Sequence, residues 1–322
     1  MSYTMFGGFL AVSWTDLLQG LMMVVTLAIV PLWAMGELGG VSATFSSINE
    51  LNPNLLNWFS DAQGQALSTI GIISAVAWGL GYFGQPHILA RFAAIKSHKQ
   101  IPTARRIAVI WSGISLVCAM LIGLIGTVFI KGDLGDGETI FMLMVNALFH
   151  PLIAGILLSA ILAAIMSTAD SQLLVCSSAL TEDFYKSLFR KEASQKELVR
   201  VGRIAVVLIA FAAMLLAFNE NSTVLDLVSY AWAGFGGTFG PVLLLALFWK
   251  RATALGAMAG IVVGGVTVVA WANMTGGIFE LYEIVPAFFL AGTAMIILSL
   301  LSPEPSEEIQ HEFDAVVEEA RS

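Results

Sequence analysis

The sequence has 322 residues, of which 57% are hydrophobic and 12% charged. A soluble domain carries about 25% charged residues, so this share is too small to cover a water-facing globule and leaves lipid as the solvent. The net charge of −8 comes largely from the C-terminal tail and names no partner, nucleic acid included. Cys118 and Cys176 lie within or beside apolar stretches, where they read as small packing residues rather than a disulfide or metal framework.

In chain order, eight stretches carry at most one Asp, Glu, Lys or Arg each: about 17–36, 62–90, 107–130, 139–175, 203–219, 227–249, 252–279 and 284–303. A bilayer span needs roughly 20 apolar residues. These stretches predict an all-α polytopic membrane protein with eight transmembrane helices over 1–303, followed by an acidic cytoplasmic tail, 304–322. Barrel strands would alternate in polarity, and no long stretch here does. No basic segment, short apolar core and cleavage site open the sequence, so no cleavable signal peptide is expected.

Basic residues set the expected orientation. The connections 91–106 and 181–203 and the pair Lys250-Arg251 hold 13 of the 15 Lys and Arg residues. The alternate connections hold only Lys131. Both termini are therefore expected on the cytoplasmic side. In the tail, Ile309, Phe313, Val316 and Ala320 fall at helical spacing, which fits either a short amphipathic helix or a solvated tail.

The second span is interrupted. It reads Trp78-Gly79-Leu80-Gly81-Tyr82-Phe83-Gly84-Gln85-Pro86-His87. Glycine weakens a helix by backbone entropy, and proline removes a donor. In a membrane, unwound backbone survives only where it is buried in protein or lines a cavity, and such breaks offer half-helix ends and carbonyls to ions and small solutes. Trp78 and Tyr82, four apart, share a face and are candidates to line a substrate site. The competing reading is close helix packing with a proline kink.

The fourth span carries Ala164, Ser167, Thr168 and Ser171 at i, i+3, i+4 and i+7, one side of a helix. Hydroxyl and carbonyl oxygens suit a hard cation such as Na⁺. They equally suit hydrogen bonding between helices. Asp170 flanks this face as an accessory candidate with Ser171, because an acid inside an apolar stretch is a functional candidate by default; a solvated helix end would also explain it. His87 and His150 read as packing or interfacial residues. There is no Gly-rich phosphate loop, no His-Glu-x-x-His and no Gly-x-Ser-x-Gly. The connections are too short for a catalytic or nucleotide-binding domain, so no enzyme is expected.

Long runs carry a resemblance. Tyr3 to Asp16 (YTMFGGFLAVSWTD), Trp78 to Arg91, Ser159 to Thr168, Leu173 to Asp183 and Ser229 to Gly236 resemble the sodium/solute symporter family, most closely its proline-carrying members. Ala246 to Gly260 is similar to a signature of the wider family. The resemblance implies a five-plus-five inverted repeat, of which this chain holds a C-terminal portion. Five further helices are expected before Met1. It implies Na⁺-coupled import of L-proline across the bacterial inner membrane, with Trp78, Tyr82 and Pro86 at the proline site. The implied Na⁺ ligands are the Ala164 carbonyl, Ser167 and Thr168. Asp170 departs from relatives that have Ser there. Two alternatives stay open: a truncated, inactive or split fragment of such a transporter, for which the missing N-terminal half is the partner, and the membrane part of a signalling protein. The short tail leaves no room for a kinase.

Overall fold

The computed structural model describes residues 2–61, 64–130, 132, 136–218 and 223–321; of residues 2–7, 320 and 321 only the backbone is described. Lys131 and the side chain of Ala320 lie outside the described residues. Helices dominate, and no β-strand occurs among the described residues. Among the described residues, seven helices are long and apolar enough to cross a membrane: Gly8–Glu37, His98–Phe129, Pro151–Phe189, Gln195–Leu216, Val224–Phe248, Ala254–Ala272 and Ile284–Leu301. The protein is a multi-pass, all-α membrane protein. Of the eight expected spans, the one at 62–90 is not a continuous helix. It is three pieces: α3 (Thr69–Ala77), 3₁₀ turns over Trp78–Gly84, and α4 (Pro86–Ala93).

The chain divides into two compact units. The first, Met1–Ala66 with Ala94–Phe218, holds α1 (Ser2–Glu37), α2 (Val41–Leu51), α5 (Ile101–Phe129), α6 (Ile140–Leu148), α7 (Pro151–Ser178) and α8 (Gln195–Leu216). Helix α1 is broken at Gly8, whose φ of 56° is open to glycine at no steric cost. Val30 and Ala34 of α1 meet Ile122 and Ile125 of α5, Met144 and Val145 of α6, and Ala154 and Leu157 of α7, all buried. Two features were not legible in the apolar pattern. The connection 37–61 contains α2, and the stretch 139–175 is divided between α6 and α7. Pro151 explains the division: it has no N–H and disfavours helix at the residue before it. His150 instead caps α7, its Nδ1 accepting from the Leu152 N–H at 3.4 Å. Past Ser178, α7 runs on as π-helix to Phe189.

The second unit, Leu67–Ala93 with Asn219–Ser322, holds α3, α4, α9 (Val224–Phe248), α10 (Ala254–Ala272), α11 (Ile284–Leu301) and α12 (Glu307–Arg321). Thr223 and Asp226 close a capping box at the start of α9. Small residues let α9, α10 and α11 approach closely: a Cβ on Gly264 would lie 2.9 Å from the Thr238 Cα and 3.1 Å from the Ala291 Cβ. The tail forms α12. Lys250 Nζ reaches Asp314 Oδ2 at 2.6 Å, and Arg251 Nε reaches Glu304 Oε1 at 3.7 Å. Ile309 and Val316 remain exposed while Phe313 is half-buried, so the apolar side of α12 is only partly covered.

Candidate functional site

One tryptophan, Trp232, meets the broken span at several points. Helix α3 ends at Ala77, and the 3₁₀ turns that follow bond three residues back rather than four. The Trp78 carbonyl accepts from the indole Nε1–H of Trp232, in α9, at 2.9 Å. Gln85 is buried, and its Nε2 donates to the Trp232 carbonyl at 3.2 Å. The Trp78 ring stacks on Trp232 at 5.4 Å and on Tyr282 at 6.2 Å; Tyr82 meets Trp232 edge-on at 4.8 Å. Glycines make the approach possible. A Cβ on Gly81 would lie 1.8 Å from Trp232 Nε1, and one on Gly84 would lie 2.3 Å from the Phe235 carbonyl oxygen. Pro86 starts α4 without an N–H to lose.

Of the three candidate residues of this segment, Trp78 and Tyr82 thus sit on the 3₁₀ stretch and Pro86 at the first position of α4. Tyr82 is 48% exposed, with its ring already oriented by Trp232. An aromatic face of this kind attracts a small cation, and irregular backbone carbonyls accept hydrogen bonds. Tyr282 braces the stack from the connection before α11: its hydroxyl donates to the Ser229 carbonyl at 2.7 Å, and its N–H to Ser74 Oγ at 3.0 Å.

Glu283 follows it, and burial pushes its carboxyl above the ordinary value of 4.5. A raised value in the folded state means stability that is present below the ordinary value and lost as pH rises through the raised one. Replacing Glu283 by Gln is therefore expected to raise the melting temperature of the purified protein, relative to the parent, more at about pH 8 than at about pH 4. An equal difference at both pH values would contradict this.

The polar face of α7 is organised mostly along its own helix. Ser167 Oγ donates to the Ala164 carbonyl at 3.0 Å, and Ser171 Oγ to the Ser167 carbonyl at 2.9 Å. Ser171 Oγ also lies 3.3 Å from Asp16 Oδ2 of α1. Ala164 and Ser167 are half-buried, whereas Thr168 is exposed. Asp170 is 2% exposed, which removes the reading of a solvated helix end. The proton of Ser167 is directed at Ala164, so the hydroxyl lone pairs face away from that bond. Adjacent hydroxyl and carbonyl oxygens are the donor set that a hard monovalent cation takes. The two candidate sets belong to different units. Sequence reasoning missed Trp232 and Gln85 as the residues that hold the break, and Asp16 as a neighbour of Ser171. Trp232 and Asp16 sit inside the runs that carry the resemblance, but nothing in their spacing announces a partner far along the chain.

The model of the "Sodium:solute symporter family" matches residues 1–264. The chain belongs to that family. This is a family of transporters, not of enzymes. Among curated relatives, this symporter-family chain is similar to the "High-affinity proline transporter PutP" of Bacillus subtilis, at 51% identity over 98% of this chain and 66% of the relative. It is similar to the "Osmoregulated proline transporter OpuE" of the same organism, at 51% over 95% of this chain and 62% of the relative. A "Sodium/proline symporter" of Staphylococcus aureus is 46% identical over 98% of this chain and 63% of the relative. The chain thus spans about two thirds of the length of the curated relatives it matches.

Proposed function

We propose that this chain is the greater part of a secondary transporter that couples inward movement of Na⁺ to uptake of L-proline. The observation that carries the reading is the broken span, where Trp78 and Tyr82 are held on irregular backbone beside Pro86. Relatives named for proline transport, at 46–51% identity, support the choice of solute. Trp78, Tyr82 and Pro86 line the proline site. The Ala164 carbonyl, Ser167 and Thr168 hold Na⁺ as cargo, with Asp170 and Ser171 as accessory groups. Na⁺ stabilises the conformation that binds proline, and proline strengthens Na⁺ binding by the same factor, as linkage requires. Movement of one bundle against another about the sites then alternates access.

The membrane is the bacterial plasma membrane. Residues 1–303 form the transmembrane domain and 304–322 the cytoplasmic tail. The connections rich in Lys and Arg support an orientation with both ends of this chain on the cytoplasmic side.

The share of the relatives' length that the chain spans favours a second reading: it is a fragment that transports only when the remaining third is supplied. Labelled proline uptake into cells lacking their own proline transporters tests both. The chain is expressed alone and as a fusion carrying the part of the B. subtilis relative that it does not span. Sodium-dependent uptake by the fusion alone supports the fragment reading, and uptake by both supports a self-sufficient chain. Uptake by neither, with the proteins present in the membrane, contradicts the proposal.

A further inference from the structure

The two aromatic residues proposed to meet proline share one support. We infer that Trp232 is a positioning residue for substrate affinity, acting through its indole N–H and ring on the Trp78–Gly84 break; the inference rests on the proline-site reading of Trp78 and Tyr82. Four observations converge on it. Its Nε1–H satisfies the Trp78 carbonyl at 2.9 Å, within the stretch where the α-helical ladder is lost. Its own carbonyl accepts from buried Gln85 at 3.2 Å, on the far side of the break. Its ring stacks on Trp78 at an interplanar angle of 14° and stands at 86° to the Tyr82 ring. Finally, Gly81 leaves the break no room for a Cβ against that ring, so the backbone lies directly on the indole. The side chain of Trp232 thereby sets the backbone carbonyl at 78 and the planes of both candidate rings, and its main-chain carbonyl holds the point where α4 begins.

Removing the N–H without removing the ring isolates this role. In Trp232→Phe the stacking surface is largely kept, but the Trp78 carbonyl loses its donor. An unsatisfied backbone group has a cost comparable to a lost hydrogen bond, which the break relieves by shifting Trp78 and Tyr82. The loss falls on ground-state binding of solute rather than on the transport cycle. In the fusion that transports, Trp232→Phe is expected to raise the KM for proline about tenfold, with the maximal rate per transporter within about twofold of the parent. The KM for Na⁺ at saturating proline stays near that of the parent. Gln85→Met, which keeps volume and removes the tether to the Trp232 main-chain carbonyl, is expected to shift KM in the same direction. If Trp232→Phe fails to reach the membrane, Trp232→Tyr, which likewise keeps a ring and lacks the indole N–H, takes its place with the same expected shift in KM.

A merely structural role would lower the amount of transporter and the maximal rate while leaving KM unchanged. That result, or unchanged KM in both variants, overturns the inference alone. A fusion without sodium-dependent proline uptake overturns the functional reading, and this inference with it.

Discussion

Gly84→Ala is expected to be among the most damaging single-atom changes in the second unit. A Cβ at this position would meet the Phe235 carbonyl oxygen at 2.3 Å, the Gly236 Cα at 2.8 Å and the Phe235 carbonyl carbon at 2.9 Å. All three are backbone atoms of α9, so no side chain can swing aside. Helix α9 cannot be displaced cheaply either, because it packs against α10 and α11 through similarly close contacts. Overpacking typically costs about 1–3 kcal/mol and more where backbone must move, which places this substitution at or above the upper end. The purified variant should melt several degrees below the parent, and proline uptake should fall with it. Gly79→Ala is the internal control, since nothing lies within 4 Å of a Cβ there. It should melt within about 1 °C of the parent, since Gly79 is exposed and the added methyl group meets no neighbour. Equal melting of the two variants would show that the approach of the broken span to α9 is looser than described.

Ser167→Ala is expected to raise the KM for Na⁺ by roughly ten- to a hundredfold, the worth of one polar contact to a charged group. The substitution suits this test because its cost to the fold is small. Among the described residues the hydroxyl bonds within its own helix, to the Ala164 carbonyl, and alanine is the better helix former. Weakened Na⁺ dependence with unchanged melting therefore reports on the ion rather than on packing. The KM for proline at saturating Na⁺ should stay near the parent value. Unchanged Na⁺ dependence in both Ser167→Ala and Thr168→Ala would remove the ion-site assignment.

The interruption of the second span was legible because glycine and proline act locally: their entropy and missing donors do not depend on distant residues. The oxygens of Ala164 and Ser167 were legible for the same reason, being fixed by helical spacing. What spacing could not supply was the other side of each contact. Trp232 lies 154 residues from Trp78, and Ser171 lies 155 residues from Asp16. Hydropathy alone gave Asp170 two readings, and only its packing removed the solvated one. The division between α6 and α7 was written in Pro151, but an apolar window that counts charges passes over it.

In the proposed function, the free energy of a Na⁺ gradient moves proline. The most direct test reconstitutes the purified fusion into sealed vesicles and imposes an inward Na⁺ gradient in the absence of any other ion gradient or energy source. Labelled proline is expected to accumulate transiently above its external concentration, and a sodium ionophore that collapses the gradient should abolish this. Accumulation should be weaker in Ser167→Ala and, at low proline, in Trp232→Phe. Proline that merely equilibrates across the membrane, at the same rate with and without the gradient, would contradict the proposed function.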